Sequence, residues 1–228
     1  MTTIYSHGIP IPKVDDKQLF HFNRLTIAFG PSGTGKSVVI QHILNTLREV
    51  IPCIVVVCPT AGINLDYHNI VPDECIHEEV TRPLMQRIFQ RQDNMIAMHS
   101  LVRDVKHLEP LFNLIANNES SAKINKLVAI YRKGCADIKH TYSEDDIDTT
   151  ISEFKAKFDK KRVKIMRQYI INNMDRLMSH SLTEIQKTIL SNFEINPALL
   201  ILFDDCMATV SEWSKMEETK KLFFQGRH

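Results

Sequence analysis

Gly30-Pro31-Ser32-Gly33-Thr34-Gly35-Lys36-Ser37 matches the pattern G-x-x-x-x-G-K-[ST] at every fixed position. A phosphate group needs several converging donors, and backbone N–H groups supply them only where the chain wraps tightly. Gly30, Gly33 and Gly35 permit the required φ angles and let the backbone come close. A helix that begins at Lys36 turns its positive end to the same place. Pro31, Ser32 and Thr34 complete the loop. Lys36 suits the β- and γ-phosphates of a nucleotide, and the Ser37 hydroxyl suits Mg²⁺. The flanking sequence agrees. Leu25 to Phe29 is a short apolar run that predicts a buried parallel strand. After the loop, Val39, Ile40, Ile43, Leu44 and Leu47 fall on one helical face. Pro52 stops that helix, and the uncharged run Cys53 to Cys58 predicts a second strand.

The complementary feature lies far along the chain. Leu199-Leu200-Ile201-Leu202-Phe203 predicts a buried strand, and Asp204-Asp205 end it. A carboxylate there can hold Mg²⁺, and a second can polarise an attacking water. Asp204 is assigned to the metal and Asp205 to the water. Together these elements predict an α/β fold: a P-loop NTPase with a mostly parallel sheet flanked by helices, as one domain over residues 1–228. The implied cofactors are ATP and Mg²⁺. A GTPase fits less well, because Asn125-Lys126-Leu127-Val128 lacks the acid of a base-reading Asn-Lys-x-Asp. A small-molecule kinase would need an arginine-rich lid, of which only Arg87, Arg91 and Arg103 are reminiscent.

Between these blocks a helical insertion is expected at about residues 81–197. Met95 to Met98 reads as a short third strand inside it. Leu101 to about Lys133 reads as helix broken near Asn117-Asn118. Ser143 to Asp146 reads as an acidic loop, and Ile147 to Ile170 as one long amphipathic helix or two. Met166, Met174 and Met178 read as core residues of that stretch. Lys155 to Arg167 holds seven basic residues against one acid. Two explanations stand: a solvated helix face, or a contact surface for a DNA backbone. Near the end, Ser214 and Glu217 form an S-x-x-E capping box, and Trp213 reads as a packing residue.

Composition bounds the rest. The 228 residues carry 28 Lys and Arg against 27 Asp and Glu, a formal net charge of +1, so a nucleic-acid contact needs a local patch. With 43% hydrophobic and 24% charged residues, the chain is ordinary globular material and not a disordered or collagen-like one. No apolar run is long enough for a membrane span. The five cysteines are odd in number and lack a C-x-x-C pair, which points to thiols of an intracellular protein.

The segment Phe203-Asp204-Asp205-Cys206, with Trp213-Ser214-Lys215 and Phe224-Gln225-Gly226-Arg227-His228, resembles the genome-packaging ATPases of nucleocytoplasmic large DNA viruses. Phe29 to Ser37 and Cys58-Pro59-Thr60 fit the same group, which belongs to the FtsK–HerA class of DNA-pumping ATPases. The resemblance covers about residues 19–70 and 182–228. It implies an ATP-driven motor that moves double-stranded viral DNA into capsids during virion assembly. The partners it implies are double-stranded DNA, further copies in a homo-oligomeric ring, and a capsid or portal protein. It implies a place in the host cytoplasm, at the viral factory, and in the virion. Arg227 becomes a candidate for the interface where a neighbouring subunit supplies an arginine finger. In the family, Gly-Arg-His leads into a strand that carries a polar sensor residue, so the last core strand is expected beyond His228. That missing strand keeps open a different class of function, a non-hydrolysing ATP-binding scaffold or switch. A viral nucleoside kinase is the third reading.

Overall fold

The computed structural model describes residues 5–6, 9–10, 26–28, 31, 33–142, 144–206 and 210–220. Two short strands, β1 (Tyr5–Ser6) and β2 (Ile9–Pro10), pair antiparallel near the start. Then come helix α1 (Lys36–Leu47), strand β3 (Cys53–Val57), the single turn α2 (Ala61–Asn64) and strand β4 (Ile76–His77). The helices that follow are α3 (Arg82–Leu101), α4 (Val105–Ile115), α5 (Asn118–Thr141), α6 (Glu144–Asn172), α7 (Met174–Met178) and α8 (Glu184–Ser191). Strand β5 (Leu199–Phe203) and helix α9 (Val210–Trp213) follow, and residues 217–220 are again helical. The fold is mixed α/β, with a parallel three-stranded sheet in the order β4-β3-β5.

The chain divides into two compact units, with boundaries inside α3 and after Ile195. The first unit, residues 1–94 and 196–228, holds the sheet. Alternation along β3 and β5 sends their side chains to opposite faces. Ile54, Val56, Leu200 and Leu202 pack with Leu44 and Leu47 of α1, while Cys53, Val55, Val57, Ile201 and Phe203 pack with Leu84, Met85 and Ile88 of α3 and with Trp213. Helices therefore cover both faces. Every residue of β3 is buried, as expected for a central parallel strand, whereas β5 is intermediate throughout.

The run Leu25 to Phe29 departs from its expectation. Its described residues, 26–28, are not in a strand, and Ile27 is 74% exposed. An apolar run becomes a strand only where a neighbour takes its N–H and C=O groups. Among the described residues no strand pairs with 26–28.

The second unit, residues 95–195, is all helix around Leu108, Leu111, Phe112, Ile115, Met166, Ile170, Leu177, Ile189 and Phe193. Met95 to Met98, expected as a strand, lie inside α3. No glycine or proline interrupts the helix-forming sequence between Leu84 and Leu101, so it propagates. The break near Asn117 is a cap: Asn117 accepts from the Ser120 N–H, and the Ser120 hydroxyl returns the bond. The acids expected in a loop at 144–146 begin α6, where a helix favours acidic residues. The long amphipathic stretch is one helix of 29 residues. Met166 is buried and Met174 packs against the core, but Met178 is 60% exposed. Ser214 is not the N-cap expected of it; its N–H donates to Val210 O and so ends α9.

Candidate functional site

The described part of the glycine turn is built for close approach. Gly33 and Gly35 have φ of +78° and +82°, in the left-handed region that an L side chain rarely enters. A Cβ built at either position meets nothing within 4 Å, so the space beside the backbone is open. Thr34 Oγ1 and Lys36 Nζ both donate to Pro31 O, at 2.8 and 2.9 Å, which ties the turn to itself. Gly35 is the N-cap of α1. It contributes no side-chain cap, and no acid stands in the first turn. The helix end, with Lys36 and Ser37 on it, presents positive potential. Gly30, Ser32 and Arg227 lie outside the described residues.

The first unit holds both the turn and the two acids. α1 returns into β3 through a connection at 48–52, in which Val50 and Ile51 donate to Leu47 O. Leu44 and Leu47 pack on the sheet, so α1 runs back along β3. A helix of 12 residues and a strand of five are both about 17 Å long. A helix antiparallel to β3 would turn its N-terminus to the carboxyl end of the sheet, where open α/β sheets bind ligands. β5 is parallel to β3 and ends at that edge in Asp204, whose N–H donates to Val57 O at 2.9 Å.

The two acids differ sharply in environment. Asp204 is partly buried, and its Oδ2 accepts from the Tyr67 hydroxyl at 2.5 Å. The Cys58 thiol lies 4.0 Å from the same oxygen and 3.3 Å from Thr60 Oγ1. Among the described residues Oδ1 takes no hydrogen bond. Burial, and then the bond to Asp204, hold the Tyr67 phenol protonated far above its usual range. Asp205 is exposed and has φ of +53°, a conformation few non-glycine residues adopt. The residues beside it fix that turn. The buried Cys206 thiol donates to Val57 O and Asp204 O, both at 3.3 Å, and Trp213 Nε1 donates to Cys206 O at 3.4 Å. Burial, then Cys58, Asp204 and Asp205, push the Cys206 thiol up to about 11, so it stays a donor at neutral pH. The Trp213 ring stacks on Phe203, with centroids 5.2 Å apart.

The residues present suit Mg·ATP. A phosphate anion would suit the glycine-turned helix end, and Ser37 Oγ and Asp204 Oδ1 are two hard oxygens that could hold Mg²⁺. Among the described residues no group of three His, Cys, Asp or Glu could hold a metal by itself. A Mg²⁺ ion would need substrate oxygens and water to complete its octahedron. No sequence motif marks Tyr67, which lies 137 positions from Asp204.

In the second unit the basic stretch divides. Lys155, Lys157, Lys160, Lys161 and Lys164 are exposed. Arg162 turns inward to an ion pair with Glu109. Arg167 donates to Val102 O and Phe193 O, and its guanidinium lies 4.1 Å from the centre of the Phe193 ring. These two arginines hold helices together and are not surface cations. Among the described residues no helix is long and apolar enough to cross a membrane.

The chain is 28% identical to the uncharacterized protein B354L of African swine fever virus (isolate Pig/Kenya/KEN-50/1950), over 97% of this chain and 63% of that protein. It thus spans 63% of the length of these relatives. Shorter matches are the uncharacterized protein 015R of Frog virus 3, 35% identical over 29% of this chain and 20% of its own, and the uncharacterized protein 075L of Invertebrate iridescent virus 6, 35% identical over 29% and 26%. No family model matches the chain, and no solved structure matches it.

Proposed function

We propose that this chain is a P-loop ATPase that moves double-stranded viral DNA into capsids during virion assembly. Two observations support it: a glycine-turned helix end that has no side-chain cap, and a partly buried carboxylate at the end of a strand parallel to β3 in the same unit. The step from ATP to DNA packaging rests on the resemblance of the Phe203 to Cys206 and Phe224 to His228 segments. It also draws on the relatives named above, which come from large DNA viruses. The lysine row of α6 offers a surface for the DNA backbone. Arg227 would lie near the interface of a homo-oligomeric ring, with a capsid or portal protein as the further partner. The place of action would be the viral factory in the host cytoplasm, and the virion.

In this reading the turn at 30–37 wraps the ATP phosphates with backbone N–H groups. Lys36 exchanges its bond to Pro31 O for the β- and γ-phosphates. Ser37 and Asp204 would hold Mg²⁺, which when bound offsets negative charge on the phosphate oxygens. Asp205, held at the rim by its turn, orients the attacking water and accepts its proton.

Lys36→Ala tests the assignment. The side chain takes no part in the hydrophobic core around α1, so the fold should survive its loss. Binding of a fluorescent ATP analogue with Mg²⁺ should weaken by at least about 100-fold, because the variant cannot make the charge-assisted bond to the phosphates. An unchanged affinity in a variant with the wild-type melting temperature overturns the P-loop reading. DNA-stimulated ATP hydrolysis by the wild type tests the motor part.

A further inference from the structure

We infer that Tyr67 is a positioning residue for the metal-binding carboxylate: its hydroxyl occupies Asp204 Oδ2 and leaves Oδ1 to face the ion or its bound water. The inference rests on the nucleotide-site reading above and deepens it. Tyr67 is 1% exposed and lies in the core formed by α1 and one face of the sheet. A tyrosine needs a partner when its hydroxyl is buried, and the partner it has is the 2.5 Å bond to Asp204. A carboxylate at the end of a strand can rotate about its χ2 torsion, which is broad for aspartate. A short charge-assisted hydrogen bond from a buried, immobile ring removes that freedom. The end of β3 approaches the same oxygen: the Cys58 thiol faces Oδ2 and is itself bridged to Thr60. The segment from Cys58 to Tyr67 therefore forms a collar around Oδ2 and contributes nothing to Oδ1. Such outer partners orient ligands and tune their affinity for metal by about 10- to 100-fold.

Tyr67 allows a clean test. Phenylalanine keeps the ring and its packing and removes only the hydroxyl. In the full chain, nucleotide binding is read with a fluorescent ATP analogue while Mg²⁺ is titrated, and again in EDTA. For Tyr67→Phe the Mg²⁺ concentration at half-maximal binding should rise about tenfold, with binding in EDTA unchanged. Asp204→Asn should raise it further, and adding Tyr67→Phe to Asp204→Asn should change nothing more, because the hydroxyl acts only through that carboxylate. A merely structural tyrosine would shift metal-free and metal-dependent binding alike. Equal Mg²⁺ requirements for wild type and Tyr67→Phe, or additive effects in the double variant, overturn the inference while leaving the ATP site intact. A wild type that binds no nucleotide even with Mg²⁺ overturns the nucleotide-site reading, and this inference with it. Should Tyr67→Phe fold poorly, the melting temperatures of the same four proteins serve instead. Non-additive losses support the Tyr67–Asp204 bond, and additive ones refute it.

Discussion

At the scale of single residues, the two neighbouring acids are separated by backbone geometry before any chemistry is considered. Asp204 ends the ladder of β5 and is held by Tyr67, whereas Asp205 sits at φ +53° in an exposed turn. Aspartate and asparagine tolerate that left-handed conformation, but for a residue with an ordinary Cβ environment it costs about 1–2 kcal/mol. Asp205→Asn therefore isolates the charge from the turn. It should melt with the wild type and bind Mg·ATP normally, yet hydrolyse ATP about 10²- to 10⁴-fold more slowly, since an amide cannot accept the water's proton. Asp205→Gly should behave alike in both respects, while Asp205→Ala should also lose stability. Wild-type turnover in Asp205→Asn would remove Asp205 from the chemistry and leave it a turn residue.

Among the elements, the hairpin of α5 and α6 depends on the absence of a side chain at Gly134. A Cβ there would lie 2.4 Å from Phe154 Cζ, and that ring is held in a stack of Tyr131 on Phe154 and Phe158, with centroids 5.5 and 4.3 Å apart. In an exposed helix, glycine to alanine gains about 1 kcal/mol. Here the overpacking, about 1–3 kcal/mol, should win. Gly134→Ala should lower the melting temperature by about 2–4 °C for each kcal/mol of net loss, and adding Phe154→Leu should restore part of it. A higher melting temperature for Gly134→Ala would show that the rings move freely. The elements also mark where sequence reading succeeds and fails. β3 and β5 are legible as short unbroken apolar runs, and α1 by its helical period, between clear breaks at Gly35, Pro52 and Asp204. Met95 to Met98 misled because four apolar residues suit a strand or a buried helix turn equally, and only the unbroken helix on both sides decides. The same limit applies at the site. Lys36, Ser37, Asp204 and Asp205 stand in compact motifs, but the Tyr67–Asp204 bond exists only once β5 lies beside β3. Likewise, the inward turn of Arg162 and Arg167 follows from which face of α6 packs, and a count of basic residues contains no such direction.

For the whole molecule the net charge is only +1, so any affinity for a polyanion has to come from local arrangement. α6 supplies one. Lys157, Lys160, Lys161 and Lys164 recur at helical spacing within about 100° of arc and about 10 Å of helix. All four are exposed, and among the described residues none has an ion-pair partner. Their opposite side buries Met166 and Ile170. Lysines that were merely solvating a helix would gain from nearby acids, as Lys123 and Lys187 do with Glu119 and Glu184. Held without such partners, they suit phosphates whose counterions they can release. Replacing Lys157, Lys160 and Lys164 by Gln should weaken binding to double-stranded DNA of any sequence. It should also flatten the dependence of log affinity on log salt by about 0.9 for each phosphate no longer neutralised, so by about two to three in all. Lys187→Gln, which removes a lysine already paired with Glu184, should leave both quantities alone. Mg·ATP binding should be untouched in either variant, because the turn at 33–37 and Asp204 belong to the other unit. If the triple variant keeps the wild-type affinity and salt slope, the row is solvated surface and any DNA contact lies elsewhere. If it loses Mg·ATP binding together with DNA binding, the charges act on the stability of the chain and not on a phosphate backbone.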